Sequence, residues 1–167
     1  MSRKAAFFDR DGVLNVDHGY VFKPEQWEWQ EGAKEAIRWC NENRYLVVVI
    51  TNQSGIGRGY YTEKDLEKLH GFIQEDLKNA GARIDAIYHC PHLPEDNCSC
   101  RKPLPGMILQ AIRDLDLDPA RSFLIGDNPT DIEAAQAAGI KGVLYSGGDL
   151  EPVARGCNRA PVPDPNA

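Results

Sequence analysis

Along most of the chain, short apolar runs alternate with amphipathic stretches. Ala5-Ala6-Phe7-Phe8 is apolar on both faces, and so is Tyr45-Leu46-Val47-Val48-Val49-Ile50. Runs of this length without polar alternation predict strands buried on both sides of a parallel sheet. Residues 84–88, 121–125 and 140–145 read as three further strands. Between them, Ala33, Ala36, Ile37 and Cys40 recur at helical spacing, the stripe of an amphipathic helix. Leu66, Leu69, Ile73 and Leu77 form a second stripe, opened by Thr62 with Asp65 three residues on, a capping box in outline, and ending near Gly81. Leu109, Ile112 and Leu115 continue as a third helix, and an alanine-rich fourth stops at Gly139. Strands alternating with helices predict an α/β fold around a doubly wound parallel sheet. One domain is expected over residues 1–150, without internal repeat or inserted large cap domain. A C-terminal extension, 151–167, reads as loosely ordered, most clearly in the proline-rich tail from Ala160.

The polar residues gather where the apolar runs stop. Asp9 and Asp11 follow the first strand, and carboxylates two apart on extended chain point to one side. Two like charges that close are costly unless a cation or a shared proton relieves them. A Mg²⁺ ion shared with a phosphate would do so, leaving one Asp as nucleophile and the other as acid/base. The plainer reading is a solvated turn, since Asp-Gly is a common turn pair. After the second strand, Thr51-Asn52-Gln53-Ser54-Gly55-Ile56-Gly57-Arg58-Gly59 offers a hydroxyl and glycine-freed N–H groups that could cradle a phosphate, or else a flexible connection. A third strand end carries Gly126-Asp127-Asn128-Pro129-Thr130-Asp131. In a parallel sheet these ends share one edge, where they would converge with Lys102 into a phosphoryl-transfer site. A Walker-type Gly-Lys-Ser/Thr sequence is absent, which argues against nucleotide hydrolysis by that route.

Cys90, His92, Cys98 and Cys100 place three thiols and an imidazole in one short loop, the ligand set of a closed, structural, tetrahedral Zn²⁺ site. His89 is expected to lie off that site, and Trp27 and Trp29 to serve packing. Arg101 and Lys102 follow the last thiol and are framed by Pro103 and Pro105, which favours an anion-binding role. Five cysteines, three of them crowded together, do not form a disulfide framework. A reducing cytoplasm is therefore expected. The opening Met1-Ser2-Arg3-Lys4 lacks the apolar core of a signal peptide, and no apolar run approaches the ~20 residues of a membrane span. A net charge of −6 disfavours nucleic acid and membrane surfaces as partners and leaves open a small anionic substrate. A monomer is expected.

Asp9-Arg10-Asp11-Gly12-Val13, Thr51-Asn52, Lys102 and Gly126-Asp127 through Asp131 resemble, in order, the four motifs of the haloacid-dehalogenase-like (HAD) phosphatases. The zinc loop and the compact chain are similar to the branch containing heptose 1,7-bisphosphate and histidinol-phosphate phosphatases. The resemblance implies an aspartyl-phosphate mechanism: Asp9 as nucleophile, Asp11 as acid and then base, and Thr51 and Lys102 holding the phosphoryl oxygens. It implies Mg²⁺ on Asp9, Asp11 and Asp127, with Asp131 behind them, supporting Lys102 or a metal-bound water. Substrate contacts implied are Gly12, Asp17, His18, Gly19, Tyr20, Asn52, Gln53, Ser54, Arg101 and Asn128; Asn128 stands where the heptose branch has a Lys. The loops favour a phosphorylated heptose, destined for lipopolysaccharide or S-layer glycan, as substrate. Histidinol phosphate, another sugar or polyol phosphate, and an inactive zinc-stapled binding module are the alternatives.

Overall fold

The computed structural model describes residues 2–158. Five parallel strands make one sheet: β1 (Ala5–Phe8), β2 (Leu46–Asn52), β3 (Ala86–Cys90), β4 (Phe123–Gly126) and β5 (Lys141–Leu144), in the order β3-β2-β1-β4-β5. The strand with the most uniformly apolar sequence, β1, is central, and all four of its residues are fully buried. Its pleat splits the core in two. Ala6 and Phe8 face a layer built from α1 (Ala33–Glu42), α3 (Glu63–Asn79), which follows the single-turn α2 (Ser54–Gly57), and α6 (Leu150–Gly156). Ala5 and Phe7 face α4 (Gly106–Leu115) and α5 (Pro129–Ala137). Helices on both faces are what a strand without polar alternation requires.

The predicted stripes bury as expected in α1 and α3, and Thr62 Oγ1 accepts the Asp65 N–H at 3.1 Å in the capping box. In α4 the buried face is Met107, Ile108 and Ala111, while Leu109 turns to solvent, since 107, 108 and 111 are the positions one helical face can share. The fourth strand starts at Phe123 rather than Arg121. Asp118 accepts the Ala120 N–H and holds Pro119–Arg121 in a short 3₁₀ turn.

The C-terminal side differs from the loosely ordered extension expected from residue 151. Residues 150–156 form α6, which packs along α1 and buries Leu150 and Ala154 completely. Asp149 caps it, and Pro152 falls in its first turn, where a missing N–H costs nothing. Two buried residues in a helix this short make too little periodicity to read without its partner. The expectation of a loose tail from Ala160 lies outside the described residues. Among those residues, no helix is long and apolar enough to cross a membrane.

Candidate active site

Because β1 lies between β2 and β4, their carboxyl ends bring three polar sequences side by side. Asp9 follows β1, Thr51 sits within the last turn of pleat of β2, and Asp127 follows β4. Lys102 arrives from the loop between β3 and α4. Its ammonium lies 2.8 Å from Asp9 Oδ1 and 2.6 Å from Asp131 Oδ1, and donates to the Ile50 carbonyl at 3.3 Å. Asp131 stands in the first turn of α5 and is 1% exposed. Two glycines admit these approaches. A Cβ on Gly126 would lie 2.3 Å from Asp131 Cβ, and one on Gly12, whose φ is +89°, would lie 2.0 Å from Asp127 Oδ2.

Charge in this corner is unbalanced. Burial pushes the Asp9 carboxyl up, to about 8, and the Lys102 ammonium only partly pulls it back. Burial likewise raises Asp127, with Asp131 adding to the push. Burial would lower Lys102, but Asp9 and Asp131 outweigh it and hold it above the ordinary lysine range. One ammonium thus serves three carboxylates, and the oxygens of Asp9, Asp127 and Asp131 lie within 4.8 Å of one another. Lys102 takes Oδ1 of both Asp9 and Asp131, and Asp131 Oδ2 accepts the Asn128 N–H at 3.2 Å, so Asp9 Oδ2 and the Asp127 carboxylate remain as hard oxygen donors. This donor set fits a small divalent cation.

Asp11 is held differently. Its Oδ1 accepts from Arg10 Nη2 at 2.8 Å and from Asn15 Nδ2 at 3.0 Å. Arg10 is 1% exposed, donates to the Val21 carbonyl at 2.6 Å, and lies 3.3 Å from His70 Nε2 and 5.7 Å from the Trp27 ring centre. Burial, followed by the Arg10 charge, lowers His70 to about 3, so its imidazole is neutral and accepts from the guanidinium. Gln53, 3% exposed, donates to Asp11 Oδ2 at 3.0 Å and to Thr51 Oγ1 at 2.8 Å, and its Oε1 accepts from the Tyr61 hydroxyl. Nothing local in the sequence marks Arg10, Asn15 or Tyr61 for this supporting role. The one signal was His70, a titratable residue standing within the apolar stripe of α3.

Two cavities of about 240 Å³ each open here and share Asp11, Asp17 and Asn52. One holds Asp9, Thr51, Lys102, Asp127 and Asn128; the other holds Gly19, Tyr20, Gln53, Ser54 and Tyr61. Gly12 lies behind Asp127, and the Asn128 side chain also caps α5 by accepting the Thr130 N–H at 3.1 Å. Two predicted contacts are not brought in. His18 Nε2 lies 3.2 Å from Glu28 Oε1 on the surface, and Arg101 Nη1 is 3.5 Å from the His92 carbonyl. A larger concavity of about 580 Å³ between α1 and α6 holds mainly self-paired charges, Arg38 with Glu42 and Arg155 with Glu151, and carries no comparable chemistry.

Cys90 ends β3 fully buried, and the chain then loops so that His92, Cys98 and Cys100 return to it. Cys90 Sγ lies 3.6 Å from Cys98 Sγ, 3.4 Å from His92 Nδ1 and 2.6 Å from Cys100 Sγ, and all five cysteines of the chain are free. A tetrahedral zinc with ~2.3 Å bonds to sulfur separates its ligand atoms by about 3.7 Å. Two of these spacings are close to that, and the donor set fits zinc. His89 pairs instead with Glu63 at 2.6 Å.

Comparison with known proteins agrees with this geometry. Residues 99–163 match the HAD-hydrolase-like family model. The chain is 45% identical over 148 residues, 84% of its own length and 81% of the other protein, to D-glycero-β-D-manno-heptose-1,7-bisphosphate 7-phosphatase of Haemophilus ducreyi. It is 46% identical over 140 residues, 84% of its length and 80% of the other, to the α-anomer-named enzyme of Campylobacter jejuni. The crystal structure of D,D-heptose 1,7-bisphosphate phosphatase from B. bronchiseptica, complexed with magnesium and phosphate, superposes with a TM-score of 0.83 at 37% identity, covering 92% of this chain and 86% of that one. With the motifs on one sheet edge and this identity over most of both chains, the chain belongs to the HAD-like hydrolases, in the family of the D-glycero-D-manno-heptose-1,7-bisphosphate 7-phosphatases.

Proposed function

We propose that this chain is a phosphatase that hydrolyses the 7-phosphate of D-glycero-D-manno-heptose 1,7-bisphosphate through an aspartyl-phosphate intermediate. The carrying observation is the Lys102 ammonium bridging Asp9 and Asp131 beside Asp127 and Thr51, in a chain whose relatives are named for that reaction. Asp9 would attack phosphorus while Asp11 gives a proton to the departing sugar oxygen. Asp11, now a carboxylate, would take a proton from the water that cleaves the acyl phosphate. Lys102 and the Thr51 hydroxyl would hold the phosphoryl oxygens as their charge redistributes, and Asp131 keeps Lys102 protonated and aimed. Mg²⁺, held by the Asp9 and Asp127 carboxylates and the Asp11 backbone carbonyl, would supply charge neutralisation at the phosphoryl oxygens. Zn²⁺ on Cys90, His92, Cys98 and Cys100 would be structural, fixing the loop from which Lys102 projects.

Among the described residues no domain covers the strand ends, so the segments at 16–22 and 52–61 that line the second cavity would select the sugar. The net charge of −6 fits a small substrate better than a nucleic acid or an anionic membrane. We extend the proposal to a monomer acting in the cytoplasm. The test is Mg²⁺-dependent phosphate release from both anomers of the heptose bisphosphate beside histidinol phosphate. A preference of about 100-fold or more in kcat/KM for a bisphosphate is expected, the scale of about 3 kcal/mol of differential binding. A preference for histidinol phosphate would overturn the substrate reading, and no turnover of either would overturn the phosphatase reading in this form.

A further inference from the structure

Which oxygen of Asp11 carries the catalytic proton follows from how its two oxygens are bonded. Oδ1 accepts from Arg10 at 2.8 Å and from Asn15 at 3.0 Å, which occupies both of its lone-pair directions. A guanidinium keeps its proton, so a proton on Oδ1 would face two donors inside the protein. Among the described residues Oδ2 accepts one bond only, from Gln53 at 3.0 Å. We propose that Oδ2 of Asp11 is the oxygen that carries and transfers the proton, and that Gln53, its amide orientation locked by Tyr61, is the positioning residue that presents it.

The orientation of Gln53 is over-determined. Both amide hydrogens are used, one on Asp11 Oδ2 and one on Thr51 Oγ1 at 2.8 Å. Its Oε1 accepts from Tyr61, which is 5% exposed and stacked on Phe22 with ring centres 4.8 Å apart. Burial raises the Tyr61 phenol to about 12, so it keeps the proton it donates. A flipped amide would set Oε1 against a carboxylate and lose both donors. Gln53 is therefore spent inside the protein, and its contribution is placement rather than contact with the sugar. One amide thereby fixes the acid relative to the hydroxyl that holds the phosphoryl group.

The inference rests on the phosphatase reading above. In its first step a bond forms between an Asp9 carboxylate oxygen and phosphorus while the bond from phosphorus to the sugar oxygen breaks. The electron pair leaves with the sugar oxygen, which takes the proton from Asp11 Oδ2. In the second, Oδ2 regains a proton from the water whose oxygen bonds to phosphorus, and the Asp9 carboxylate is released.

The experiment compares two leaving groups in kcat/KM, which reports steps up to the first release. Heptose bisphosphate departs as a strongly basic alkoxide that needs the proton; p-nitrophenyl phosphate departs as a weakly basic phenolate that does not. Gln53→Ala is expected to lower kcat/KM for the sugar by about 30- to 100-fold and for the aryl ester, which shares only the loss of the Thr51 contact, by about 3- to 5-fold. The sugar loss falls at the low end of the usual worth of general acid catalysis because Gln53 positions the acid and is not the acid itself. Tyr61→Phe, which removes one oxygen, is expected to show the same selectivity at about 3- to 10-fold. Equal losses on the two esters, or no loss, would overturn the assignment. Should Gln53→Ala fail to fold, Tyr61→Phe carries the comparison alone. If the unsubstituted protein hydrolyses neither ester, the phosphatase reading falls first and this inference with it.

Discussion

The cysteine loop and the carboxylate corner lie on the same edge of the sheet and are built in opposite ways. The four zinc-type ligands come from residues 90–100, and only Cys90 is buried in the core. The carboxylate corner draws Asp9, Thr51, Lys102, Asp127 and Asp131 from across the chain, and four of these five are buried. The loop gathers its donors within eleven consecutive residues; the corner owes its shape to three strand ends and a lysine shared between two aspartates. A group in the loop can be removed at the expense of local order. In the corner, a removed group leaves charges that the protein interior cannot solvate. The two meet at Lys102, two residues after the last thiol.

That difference is open to attack from several sides. Asp9→Asn should be the severest change: phosphate release falls by about 10⁴-fold or more, because no other group can form the acyl phosphate. Retained thermal stability would show the loss to be chemical, and residual activity near the unsubstituted rate would refute the nucleophile assignment. Lys102→Met should cost about 10²- to 10³-fold in kcat, the scale of losing one preorganised charge partner. Its measurement in steady-state kinetics separates this from Asp9→Asn, since KM for the phosphate should rise as well.

On the loop side, Cys98→Ser should abolish zinc retention by metal analysis and destabilise the protein by about 2–4 kcal/mol, seen as a lower midpoint in denaturant. Activity should survive in part, because Lys102 keeps its two aspartate partners. Equal loss of activity in Cys98→Ser and Lys102→Met would mean that the loop and the corner are one unit. The smallest effect is the pH dependence set by His70. Its folded value, about 3, is below its ordinary 6.5, so the unfolded chain binds the extra proton between those limits. Stability should therefore fall as pH drops from about 6.5, by at most about 1.4 kcal/mol per pH unit from this residue. His70→Gln should flatten that slope in denaturant titrations at pH 7 and 5; an unchanged slope would refute a neutral, partly buried His70.

The two regions were also unequally legible. The loop could be read from spacing, since a local ligand set keeps its meaning in any fold. The strand-end acids could be read only with the assumption of a parallel sheet, which apolar runs such as 45–50 made available. The support behind Asp11 was not readable. Arg10 sits between two aspartates and looks solvated in sequence, yet it is the largest fully buried side chain. Its partners His70 and Val21 are distant or unremarkable in the sequence. The helix at 150–156 escaped for a related reason, because its two buried positions acquire meaning only against α1.

By itself, the order of residues determined the strand and helix alternation, the acids at strand ends, and the cysteine–histidine loop. Each of these rests on local periodicity or spacing, which the chain carries wherever it goes. Only the tertiary structure decided which oxygen of Asp11 is pinned by Arg10 and Asn15, and that Gln53 spans Asp11 and Thr51. Those outcomes depend on which donors are buried together. Burial makes every unpaired polar group costly, and so selects one arrangement among many that the sequence permits.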